Sequence, residues 1–95
     1  MSRITMSQLE YLVKEINEVT GNKIEPYTKN KDGSYTTNIG NYHLQGAYGG
    51  LQLQQMHNKG GAITTPLGSG FNTKKEMYYK LDAFLMGLLS QKRGK

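Results

Sequence analysis

The segment with the clearest potential for chemistry is residues 68–75, where a loop of alternating glycine and serine leads into a predicted helix. The first amide groups of a helix lack partners within it, and the helix dipole attracts negative charge to that end. Lys74 and Lys75 place two cations there, where they oppose the dipole unless an anion compensates them. We therefore predict that Lys74 and Lys75 hold a phosphate or carboxylate group. The alternative is that both side chains extend into water, because the loop lacks the spacing of a P-loop.

A second candidate is the glycine- and tyrosine-rich middle of the chain. Glycine weakens a strand unless it supplies a positive φ or lets another group approach closely, so a cluster of glycines indicates a shaped surface. We predict that Gly46, Tyr48 and Gly49 shape a ligand pocket. Tyr42 or His43 would contact a base or ribose. The alternative is that the tyrosines pack within a sheet and that His43 is structural.

Other chemistry finds little support. The chain has no cysteine and only two histidines, His43 and His57, so we expect no metal site and no cofactor. Ser69, His57 and Asp82 could form a triad on paper, but no nucleophile elbow surrounds the serine. We therefore expect a binding protein, not an enzyme.

Composition and charge limit the partners. The net charge is +5, but Lys92, Arg93 and Lys95 lie in the last four residues, which leaves +2 for the rest. We predict a single domain over residues 1–90 and a basic disordered tail over residues 91–95. Because the chain lacks cysteine and any apolar run of about 20 residues, we expect a cytoplasmic location and no membrane partner. A domain this small has a thin stability margin, so self-association is expected as well.

Two amphipathic helices are predicted at the ends of the domain. Apolar residues at helical spacing over residues 6–20 indicate the first, with Ser7 and Glu10, or Thr5 and Gln8 one register earlier, as its capping box. A second helix begins after Thr73 and its apolar stripe ends near residue 89.

Two hairpins are predicted between the helices. One turns at Asp32-Gly33, and the other turns through residues 47–50. Residues 51–57 could also form a short helix, and residues 60–72 read as a long loop. The predicted fold is α+β, with a four-stranded antiparallel sheet flanked by an N-terminal and a C-terminal helix in the order α-β-β-β-β-α.

The pattern of residues 35–50, Gly60-Gly61 and residues 73–78 resembles a group of small, uncharacterised proteins encoded by phages and prophages. The resemblance implies an infected bacterial cytoplasm, where such proteins inhibit host factors or sequester nucleotide signals. With the residues above, it suggests a non-enzymatic phage accessory protein, of the counter-defence type, that binds or sequesters a nucleotide-like anionic ligand.

Two other functions remain open. One is a small nucleic-acid-binding protein whose sheet stacks bases and whose basic tail follows the backbone. The other is an inhibitor that docks on a host protein through its sheet edge or through the loop over residues 60–72.

Overall fold

The computed structural model describes residues 3–93 and has an α+β architecture with two helices and five strands. In chain order these are α1 (Met6–Thr20), β1 (Tyr27–Lys29), β2 (Tyr35–Thr37), β3 (Tyr42–Ala47), β4 (Gly50–Met56), β5 (Ile63–Thr64) and α2 (Lys74–Arg93). The α+β class and the two terminal helices are confirmed. The single four-stranded sheet is wrong, because β1 and β2 form a separate antiparallel pair beside a three-stranded sheet in the order β3-β4-β5.

The first reason for the separate sheets is that Asn17 of α1 occupies the place where β2 would join β3. Its side-chain Oδ1 accepts a hydrogen bond from the Tyr42 amide at 2.8 Å, and its Nδ2 donates to the Tyr42 carbonyl at 2.9 Å. The side chain therefore satisfies the same two backbone groups that a neighbouring strand would satisfy. Asn17 is fully buried, so this substitute for a strand is part of the core.

The second reason is the turn between β2 and β3, which is bound to the loop after α1. Asn38 Nδ2 donates to the Glu25 carbonyl at 2.8 Å, and Asn41 Nδ2 donates to the carbonyls of Lys23 and Ile24 at 2.7 and 2.9 Å. Both asparagines are buried. These bonds hold the β1-β2 hairpin against that loop and away from the edge of β3.

The start of α1 matches one of the two predicted capping boxes, and α2 ends beyond the predicted position. Thr5 and Gln8 form the capping box of α1, and Gly21 ends the helix with a left-handed φ of 77°. At the other end of the domain, α2 extends through Arg93, so residues 91–93 of the predicted tail are helical. Gln, Lys and Arg are good helix formers, which explains the continuation past the apolar stripe. Residues 94 and 95 lie outside the described part.

The predicted β3-β4 hairpin is confirmed. Residues 51–56 form a strand and not the alternative short helix, in agreement with their alternation of leucine and glutamine. Leu44 pairs with Leu53 and Gly46 with Leu51, and a two-residue turn joins the strands. The predicted long loop over residues 60–72 is wrong in part. It contains β5, which pairs with the end of β4, and an isolated bridge from Asn72 to Leu51.

Both helices pack on one face of the three-stranded sheet, with α1 against β3 and α2 against β4. The side chains of this face of the sheet meet the apolar stripes of the helices. The buried core consists of Leu9, Leu12, Val13, Ile16, Tyr42, Leu51, Leu53, Met77, Leu81 and Leu85.

We expect Asn17→Ala to lower the free energy of unfolding by about 2 to 4 kcal/mol, because it leaves a buried amide and a buried carbonyl unpaired. Urea denaturation would measure the change. Glu18→Ala, at the next and exposed position of α1, is the control and should change stability by less than about 0.5 kcal/mol. An Asn17→Ala effect as small as the control's would contradict the role assigned to this side chain.

Candidate functional site

An open cleft of about 560 Å³ lies at the N-terminus of α2, and three of its lining side chains are cationic. None of the described residues that line it is acidic. We call it the basic cleft; it is lined by Arg3, Ile4, Gly49, Thr73, Lys74, Lys75 and Tyr79.

A capping box at the start of α2 holds Thr73, one of the residues that line the basic cleft. The Thr73 hydroxyl oxygen accepts a hydrogen bond from the Glu76 amide at 3.1 Å, and Glu76 Oε1 accepts one from the Thr73 amide at 2.9 Å. Glu76 is the acidic residue of the first turn of α2 and lies outside the cleft lining. The Glu76 carboxylate is thereby held on the Thr73 backbone amide.

The tip of the β3-β4 hairpin supplies the opposite wall. The amide and carbonyl of Leu51 exchange two hydrogen bonds of 2.7 Å with Asn72, which brings the start of β4 beside the segment entering α2. Gly50 permits this approach, because a Cβ atom there would lie 3.0 Å from the Asn72 carbonyl oxygen. Gly49 thereby reaches the basic cleft.

Tyr48 lies at the same tip in an unusual conformation. Its φ is +53° and that of Gly49 is +71°, the left-handed pair typical of a type I′ turn. Bulky side chains rarely occupy this region, at a cost of about 1 kcal/mol. Tyr48 is nonetheless 94% exposed, and its ring meets Phe71 edge to face at a centroid distance of 5.4 Å. Strained backbone conformations of this kind cluster at active sites and ligand-binding sites.

The structure brings together three of the seven predicted ligand residues, Gly49, Lys74 and Lys75, and adds Arg3 and Tyr79 to them. Tyr79 lies one helical turn after Lys75, so helical spacing could have identified it. Arg3 precedes α1 and reaches the basic cleft only because the two helices pack together, for which the sequence gives no signal.

Tyr42 and His43 line a different cleft, of about 290 Å³, between α1 and β3. We call it the α1-β3 cleft; it is lined by Met6, Glu10, Val13, Lys14, Asn17, Ile24, Tyr42, His43 and Leu44. Tyr42 is 8% exposed, and its ring packs edge to face on Phe84 at 5.6 Å. The Tyr42 ring is therefore part of the core, and little of its surface is exposed for stacking on a base.

His43 belongs to a chain of side-chain hydrogen bonds. Its Nδ1 lies 3.2 Å from Asn41 Oδ1, and its Nε2 lies 3.1 Å from Gln54 Oε1. Gln54 Nε2 donates to Gln52 Oε1 at 2.7 Å, and Gln52 Nε2 donates to the Ser69 carbonyl at 2.6 Å. Both ring nitrogens of His43 therefore face side-chain amide oxygens of the protein.

Gly46 lies within β3 opposite Leu51 and is not among the lining residues of either cleft. A Cβ atom at this position would make only ordinary contacts, the nearest to the Gly50 carbonyl oxygen at 3.8 Å. Gly46 is exposed.

No protein family model, no curated protein and no solved structure matches the chain. Within residues 3–93, there is no cluster of three or more His, Asp or Glu side chains that could bind a metal ion. Neither helix, over its described residues, combines the length and apolar character needed to cross a bilayer.

Burial raises the pKa of the Tyr42 hydroxyl above its ordinary value of about 10. The neutral phenol thus stabilises the fold below pH 10, and this contribution is lost as the pH rises further because the unfolded chain ionises first. We expect Tyr42→Phe to reduce the loss of stability above pH 10, as measured by urea denaturation at several pH values. The control is Tyr35→Phe, which removes the same hydroxyl group from an exposed side chain. Identical profiles for Tyr42→Phe and the original protein would contradict the expectation.

Proposed function

We propose that this chain binds a nucleotide-like anionic ligand in the basic cleft and sequesters it without chemical change. The observation that carries the proposal is the convergence of Arg3, Lys74 and Lys75 on one cleft that has no acidic lining residue. Cations on a helix N-terminus are unfavourable by themselves, so a bound phosphate would relieve their mutual repulsion and their opposition to the dipole.

The size of the basic cleft and the aromatic residue Tyr79 in its lining support a ligand larger than a single phosphate. Its volume of about 560 Å³ falls within the range of small-molecule sites. Tyr79, which is 61% exposed, offers a ring face within the cleft. A base could stack on this ring, while the phosphates contact the three cations.

The lining of the basic cleft also supports binding over catalysis. Among the described residues that line it, none carries a carboxylate, an imidazole or a thiol, which are common general bases and nucleophiles. A protein that only holds an anionic nucleotide fits the resemblance to small phage proteins, and we propose counter-defence in the cytoplasm of an infected bacterium as its setting.

We expect Lys74→Ala and Lys75→Ala each to weaken binding of a nucleoside diphosphate about tenfold, because each removes one charge-assisted contact worth about 1.5 kcal/mol. Isothermal titration calorimetry would measure the affinities, and native mass spectrometry of gently purified protein would identify any ligand carried from the cell. Lys80→Ala, farther along the exposed side of α2, is the charge-matched control and should bind normally. Normal affinity in the Lys74→Ala, Lys75→Ala double variant would refute the site.

A second candidate function, binding of single-stranded nucleic acid, is favoured by the β1-β2 hairpin. The register pairs Tyr27 with Thr37 and Lys29 with Tyr35, so the two tyrosines and Lys29 share one face. Tyr27 is 46% and Tyr35 63% exposed. Exposed aromatic rings beside a cation are the usual means of stacking bases without sequence preference.

This second function predicts a different result. Tyr35→Ala should weaken binding of a fluorescent oligothymidylate by about 1 to 3 kcal/mol, and the affinity should fall steeply as salt rises. The Lys74→Ala, Lys75→Ala double variant should bind the oligonucleotide as before, since its charges lie at another site. Absence of oligonucleotide binding at low salt would exclude this candidate.

A further inference from the structure

The outer edge of β3 offers backbone groups to a partner. Because the amide and carbonyl of Tyr42 bond to Asn17, they point away from β4, and the alternation of a strand gives Leu44 and Gly46 the same direction. A weak bond of 3.3 Å from Gln45 Nε2 reaches the Gly46 carbonyl. Among residues 3–93, no hydrogen bond accounts for the outward amides of Leu44 and Gly46 or for the Leu44 carbonyl.

Edges of this kind usually carry protection against pairing, such as lysine, proline or a bulge. From His43 to Ala47, β3 has none of these and pairs with β4 without interruption. The opposite side of β4 pairs with β5 at Gln55 and Met56 and with Asn72 at Leu51. The edge at Leu44 and Gly46 is therefore the part of the three-stranded sheet best suited to accept another strand.

The α1-β3 cleft lies beside this edge. Its lining is mainly apolar, from Met6, Val13 and Leu44, with Glu10 and Lys14 one helical turn apart. We propose that an extended segment of a partner protein pairs antiparallel with β3 at Leu44 and Gly46 and places apolar side chains against the α1-β3 cleft. In antiparallel pairing, each of these two residues exchanges two hydrogen bonds with the residue opposite it.

The position of α1 favours a lone segment over a second copy of this chain. Asn17 reaches the edge of β3, so α1 lies over that edge. If two copies paired through β3 about a two-fold axis, both α1 helices would lie over adjacent strands about 4.8 Å apart, whereas packed helices need 8 to 10 Å. A single extended segment brings no second helix and fits beneath α1.

The charges of α1 define the chemistry of the segment. The helix runs opposite to β3, since Asn17 contacts Tyr42 and Met6 lines the α1-β3 cleft with Leu44. Glu10 therefore lies nearer the Gly46 end than Lys14 does. An antiparallel segment enters at the Gly46 end, so it should carry a basic residue first, then alternating apolar residues, then an acidic residue.

The test uses the synthetic peptide Lys-Thr-Leu-Thr-Leu-Thr-Glu as the probe, with fluorescence anisotropy for affinity and amide hydrogen exchange for contact. Gly46→Pro removes one outward amide, and proline is tolerated at an edge position, so the variant should fold but bind at least tenfold more weakly. Gly46→Ala keeps the amide and has room for its Cβ, so it should bind normally. The charge-reversed peptide Glu-Thr-Leu-Thr-Leu-Thr-Lys should bind several-fold more weakly.

Protection of the Leu44 and Gly46 amides only when the peptide is present would support the proposal. Three results would overturn it: no binding by the folded original protein, equal binding by Gly46→Pro and Gly46→Ala, or protection of both amides without peptide in a protein that sediments as a dimer. In the last case a second copy of the chain would be the occupant of the edge.

Discussion

The pair of hydrogen bonds between Asn17 and the backbone of Tyr42 is the interaction on which the arrangement of this domain depends. It joins residues 25 positions apart, and it fixes α1 against β3 in both position and direction. A carboxamide has one donor and one acceptor side, which is the pattern that a strand residue presents to its neighbour. The domain thus uses one side chain in place of a fourth strand, and the β1-β2 hairpin forms its own small sheet.

Among the residues that the structure describes, the two clefts share no lining residue. The mainly apolar α1-β3 cleft lies between α1 and the edge of β3. The basic cleft lies where Arg3, the hairpin tip and the start of α2 meet. Residues that the sequence placed in one site, such as Tyr42 and Lys74, therefore belong to regions of opposite character.

Local patterns were sufficient to predict the helices, both hairpins and the capping boxes. The stripe from Leu9 to Ile16 and the Asp32-Gly33 turn act over a few residues, and such signals are readable in a single sequence. The division into two sheets was not predictable in this way. It depends on hydrogen bonds from the side chains of Asn17, Asn38 and Asn41 to backbone carbonyls 13 to 25 positions away. The position of an asparagine in the sequence does not indicate which distant backbone group it will bind. That Arg3 lines the basic cleft was not predicted for the same reason, whereas the helix start that places Lys74 and Lys75 there is a local feature.

Gln52, Gln54 and His43 lie on the face of the sheet opposite the helices, and the donors and acceptors of their side-chain hydrogen bonds follow one fixed order. The Ser69 carbonyl can only accept, so Gln52 must turn its nitrogen toward it and its oxygen toward Gln54, which in turn presents its oxygen to His43. Reversing any one amide would place two like groups face to face. A glutamate is nearly identical in shape to glutamine but cannot replace Gln52 or Gln54, because an ionised carboxylate lacks the N–H group that donates to the next acceptor. The face therefore discriminates between isosteric residues by the direction of its hydrogen bonds alone.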